Sequence, residues 1–138
     1  MRCMTEQDIA NMIKNKKRYE SELLILQNCT DSIHDPDDTE GSLRYAIIKR
    51  RLCLIEHWLH LLPYEESELL QDHLIKRYSW KALVERAASD PAREIVGDAR
   101  TLQRMQAKAL KRLEVFMRHS FGNSLDFLID DTMGEEQL

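Results

Sequence analysis

One stretch near the C-terminus carries cationic and amide side chains at a spacing that could read a nucleic acid. Arg100, Arg104, Lys108 and Lys111 are separated by four, four and three residues, which aligns side chains along one face of an α-helix. Gln103 and Ala107 lie beside them, and Arg112 follows. Arginine can make paired hydrogen bonds to O6 and N7 of guanine, glutamine can do the same with adenine, and lysine can neutralise phosphates. The pattern therefore assigns base reading to Arg100, Gln103 and Arg104, and phosphate binding to Lys108, Lys111 and Arg112. Ala107, being small, lets the helix backbone lie close to a groove.

The local charge supports that assignment although the protein is acidic overall, at −4. Residues 1–98 hold 14 basic and 18 acidic side chains. Residues 99–119 hold six basic ones against Glu114 alone, giving +5, and residues 120–138 carry five acids and no base. A positive face of this kind attracts polyanions whatever the sign of the whole chain.

Other chemistry is sparsely represented. Cys53, His57 and His60 share a helix at four- and three-residue spacing, but no fourth ligand is placed with them, so no metal site is expected. The three cysteines, Cys3, Cys29 and Cys53, form neither a CxxC pair nor a disulfide framework and are expected to be free thiols. No glycine-rich phosphate loop, nucleophile elbow or HExxH occurs. Neither an enzymatic activity nor a cofactor is expected.

The elements that must position the basic face read as helices. Only four glycines and three prolines occur among 138 residues, which disfavours a strand-rich fold with many tight turns. A first helix is expected from Thr5, where Thr-Glu-Gln-Asp nearly spells a capping box, to about Cys29. Its Ile9, Met12, Tyr19, Leu23 and Leu26 keep a 3-4 beat that Lys16 interrupts. Asp-Pro-Asp-Asp at 35–38 and Gly41 mark a loop. A second helix, about 43–62, carries Tyr45, Ile48, Leu52, Ile55, Leu59 and Leu62 without a miss. These two seams could pack on each other as an antiparallel hairpin or each meet its copy in a second subunit; pairing of copies would assign Tyr45, Ile48, Leu52, Ile55 and Leu59 to oligomerisation. Beyond Pro63 come shorter units: an apolar face at Leu69, Leu70, Leu74 and Ile75, a short helix from Trp80 to Ala88 capped by Ser79, and a last helix from Asp98 to about His119. The buried stripe of that last helix is Leu102, Met105, Ala109, Leu113 and Phe116. The tail holds an apolar knot (Leu125, Phe127, Leu128, Ile129), and its acidic end is expected to be disordered. The apolar runs are too short for a membrane span and the start lacks a signal-peptide pattern, so a cytoplasmic location is expected.

Here the residues reach a family. The run Tyr78-Ser79-Trp80-Lys81-Ala82-Leu83, then Asp98-Ala99-Arg100-Thr101-Leu102-Gln103-Arg104 and Lys108-Ala109-Leu110-Lys111-Arg112-Leu113, resembles the helix-turn-helix by which sigma factors read promoters. The resemblance covers about residues 63–113. Size, a long first helix, an acidic middle loop and a second helix are similar in layout to phage-type transcriptional regulators of the ArpU and RinA kind. Nine residues, 89–97, stand where that family has a tight turn of about three to four. That departure predicts a longer scaffold helix or an inserted short turn, and it bears on the crossing angle of the two helices.

The expectation is thus an all-α chain in three segments. Residues 1–62 form an N-terminal two-helix hairpin, 63–119 a trihelical helix-turn-helix unit, and 120–138 an acidic tail. The resemblance implies a sequence-specific transcriptional regulator of phage or prophage type that binds double-stranded DNA, with the N-terminal hairpin setting the oligomeric state or contacting RNA polymerase; the unbroken seam from Tyr45 to Leu62 and the small footprint of one helix-turn-helix predict a homodimer. Two alternatives remain open: a phage small terminase subunit binding packaging DNA, and a helical adaptor whose seams bind a protein.

Overall fold

Thr5 opens the chain's first helix, α1 (Glu6–Lys14). The Thr5 hydroxyl accepts from the Asp8 N–H at 3.2 Å and the Asp8 carboxylate accepts from the Thr5 N–H at 2.9 Å, so each side chain satisfies the other residue's otherwise orphaned N–H. In the computed structural model, which describes residues 2–28, 39–89 and 98–130 (39 and 40 by backbone alone), all regular structure is helical and no strand occurs among the described residues. The chain is all-α.

The single helix expected from Thr5 to Cys29 is two helices. Asn15 is buried and its side chain donates to the Asn11 carbonyl at 2.8 Å; with φ −98° and ψ 11° it leaves the helical path for one residue before α2 (Lys16–Asn28) begins. A short polar side chain that competes for backbone partners is the physical cause, and the break falls beside Lys16, where the apolar beat fails.

Helix α3 (Thr39–Leu61) runs antiparallel to α2, as the pairing of Lys16 with Glu56 and of Gln27 with Tyr45 shows. Its seam faces inward. Ile48 and Ile55 are fully buried, Leu59 nearly so, Leu52 packs half-buried on the same core and Tyr45 is half-buried beside α2. Of the five residues assigned to pairing of copies, Ile48, Ile55 and Leu59 are thus buried in the core of the subunit, while Tyr45 and Leu52 are half-buried.

After Pro63, α4 (Tyr64–Leu70) continues into a π-helical turn (Gln71–Ile75) that ends at Arg77 in the left-handed region, φ 65°. Ser79 then caps α5 (Trp80–Ser89), its hydroxyl accepting from the Ala82 N–H at 3.1 Å. Asp98 caps α6 (Ala99–Phe121), which Gly122 terminates at φ 56° by donating to the Arg118 carbonyl. The connection at 90–97, including most of the extended turn, lies outside the described residues, as do Cys29 and the tail from 131.

Two apolar cores result, and α6 serves both. Leu102 and Met105 join Leu69, Leu83, Trp80 and Val84 in a small cluster shared by α4, α5 and α6. Ala109, Leu110, Leu113 and Met117 enter the main core with α1, α2, α3, Leu70 and Leu74. Residues on both sides of the expected 62/63 boundary thus share one interior. The apolar knot closes the molecule. Arg51, buried in α3, donates to the Leu128 and Ile129 carbonyls at 2.8 and 3.4 Å, and Asp130 accepts from Tyr19 Oη at 2.6 Å and from Arg18 at 2.8 Å. Burial, together with Asp130, pushes the Tyr19 hydroxyl well above the ordinary tyrosine range.

Candidate nucleic-acid interface

The buried stripe of α6 dictates what its other side shows. With Leu102, Ala109, Leu110, Leu113 and Met117 turned inward, Arg100, Arg104, Lys108 and Lys111 fall on the opposite face, all exposed. The start of that face is fixed by the cap: Asp98 Oδ1 accepts from both the backbone N–H and the hydroxyl of Thr101 at 2.9 Å. Those bonds, with help from Arg104, hold the Asp98 carboxyl below the usual aspartate range.

Along this face the cations divide into two groups. Arg112 pairs with Glu66 of α4 at 3.2 Å and Lys111 with Glu114 at 3.2 Å; Arg118 also binds Glu114. Glu114 in turn accepts from the Glu6 N–H at the start of α1 at 3.1 Å. Slight burial works against ionisation of Glu114, but Lys111, the Glu6 N–H and Arg118 outweigh it and hold its carboxyl below the usual range. Two of the three residues expected to bind phosphate, Lys111 and Arg112, are thus engaged in ion pairs within the chain, while Arg100, Arg104 and Lys108 make no ion pair among the described residues. The cations without an ion pair among the described residues occupy the N-terminal half of α6.

Gln103 departs from the stripe. It is exposed, but it stands to one side and lines a groove between α6 and α1, with Ala107 beside it. The structure therefore brings Arg100, Arg104 and Lys108 together and places Gln103 on their flank. Trp80, at the entry to α5, is half-buried and faces the His73 ring. Cys53, His57 and His60 are exposed on α3; His57 lies against Phe116 and His60 Nδ1 sits 2.7 Å from the Glu56 carbonyl. Among the described residues no cluster of three potential ligands gathers around a point that could hold a metal, and no helix is long and apolar enough to cross a membrane.

Three residues of this region were not singled out from sequence. Glu114 was legible as a counterion, being three residues after Lys111 and four before Arg118. Glu66, 46 residues before Arg112, and Gln106, which meets His73 across the fold, carry no local signal. No family model, curated protein or solved structure matches this chain.

Proposed function

We propose that the protein is a DNA-binding transcriptional regulator of phage type that presents the N-terminal half of α6 to a major groove. One observation carries this reading. Arg100, Arg104 and Lys108, which make no ion pair among the described residues, stand on the exposed face of a helix whose opposite face is locked into two cores, while the cations further along the same helix are balanced by Glu66 and Glu114. A solvated surface helix has no need to segregate its charges in this way; a helix offered end-first to a polyanion does. Packing of Leu69, Leu83 and Leu102 among α4, α5 and α6 supplies the rigid support that such a helix requires, and the likeness of this stretch to the sigma-factor helix-turn-helix agrees with it. Arg100 and Arg104 read base edges and Lys108 binds phosphate. The outer face of the N-terminal hairpin is left to contact RNA polymerase. Binding to duplex DNA across a range of salt tests the reading: log affinity should fall as log salt rises, with a slope of about −1 for the phosphate neutralised by Lys108.

A helical adaptor is the second reading, and a specific surface favours it. Leu61, Phe121 and Phe127 are exposed, Arg50 lies over the Phe127 ring, and Phe116 touches both His57 and Phe121. Aromatic residues beside arginine are typical of protein interfaces. A homodimer could use a face of this kind as well.

A further inference from the structure

A groove of about 400 Å³ lies between α1, the π-helical turn and α6, next to the exposed cations. Leu74 and Leu110 give it an apolar floor, and the Trp80 indole forms a wall, its ring centroid 3.8 Å from that of His73 at 31°. His73 Nδ1 donates to Gln106 Oε1 at 2.7 Å, which fixes the imidazole. Burial, with the nearby Lys14 charge adding, lowers the His73 pKa despite that hydrogen bond.

The polar groups left over are the informative ones. Lys14 is half-buried on the groove and its ammonium makes no ion pair among the described residues. Lys16, also half-buried, holds both Glu20 and Glu56. The Gln103 amide and the Gln106 NH₂ likewise have no partner among the described residues. A half-buried cation on the lining of a groove attracts an anion more strongly than a fully exposed lysine does. Amides beside an aromatic wall suit a flat ring with polar edges.

We propose that this groove binds a small planar anion, a ring carrying one carboxylate or phosphate group, with the anion on Lys14, the ring against Trp80 and its polar edge hydrogen-bonded by Gln103 and Gln106. Orientation follows from Glu6, which lines the groove eight residues before Lys14, about 12 Å away along α1; it repels the anion from that end. Because Gln103 flanks the cationic face at the N-terminal half of α6, an occupant that engages it stands beside the face offered to DNA and competes with the duplex for that edge. That coupling rests on the DNA-binding reading, whereas the site itself does not.

The test uses the intact protein without DNA, labelled with ¹⁵N and titrated separately with adenosine monophosphate and with indole-3-carboxylate. The expected result is a saturable shift of the Trp80 indole N–H signal at sub-millimolar to millimolar probe, with the signal of the fully buried Trp58 unmoved. Which probe acts distinguishes a nucleotide from an aromatic acid. Lys14→Met should weaken binding by about tenfold, the worth of one charge-assisted contact, and Gln103→Ala, on an exposed position, should weaken it too. No saturable shift with either probe, or equal affinity in both variants, would overturn the proposal. Saturable binding in a protein that fails to bind duplex DNA would uphold the groove and overturn the function proposed for α6.

Discussion

At the scale of residues, the free and paired cations of α6 make different predictions. Arg100→Ala and Arg104→Ala should each cost about 1–3 kcal/mol on a preferred duplex and flatten base preference, since paired hydrogen bonds to guanine are lost. Lys108→Ala should weaken preferred and random duplexes alike. Competition binding with both DNAs separates the two behaviours; equal losses on both for all three variants would show that the arginines are phosphate clamps. Glu114→Gln should act in the opposite direction. It keeps an oxygen for the Glu6 N–H while releasing Lys111 and Arg118, so affinity should rise and the salt slope should steepen by about one to two. Weaker binding by a Glu114→Gln protein of unchanged helix content would contradict it. The stripe itself was legible, because spacing by four and three residues fixes a helical face. Which of its members are free was not, because Glu66 reaches Arg112 only through the packing of α4 on α6.

At the scale of elements, caps were the most legible feature and partners the least. Thr5, Ser79 and Asp98 each cap the helix that follows, since capping depends on side chains within three residues. The break at Asn15 escaped because an asparagine can continue a helix or turn back onto its carbonyls, and only its burial decides. The seam on α3 announced an apolar face but could not say what covers it; α2 does. The cap of α1 also carries a pH dependence. Burial works against the Asp8 charge, but hydrogen bonds from Arg2 and Thr5 prevail and lower its pKa. The stability it contributes is therefore present above the ordinary aspartate pKa of about 3.9 and lost as pH falls through the lower folded value. Asp8→Asn should cost about 1 kcal/mol at neutral pH, and the gap in thermal midpoint between variant and parent should close as the solution is acidified. A gap that stays constant with pH would contradict the assignment.

At the scale of the whole molecule, α6 ties the two cores together and Asp130 fastens the chain after it. Asp130 is buried against Arg51, Arg18 and Tyr19, and removing it leaves the buried Arg51 guanidinium with two carbonyl oxygens and the Tyr19 ring but no carboxylate among the described residues. Asp130→Ala should therefore destabilise the fold by about 3 kcal/mol, read as a lower midpoint in urea. Leu52→Asp should likewise lower stability without dissociating an assembly, since the residue packs within one chain; light scattering beside a melt distinguishes the two outcomes. The central claim concerns the face that this framework holds outward. Its most direct test is the salt dependence of duplex binding for the intact chain and for a variant in which Arg100, Arg104 and Lys108 are all alanine. The intact chain should bind at low salt with a slope of about −1 and the triple variant should show a slope near zero; an unchanged slope in the triple variant, or no binding by the intact chain at low salt, would contradict it.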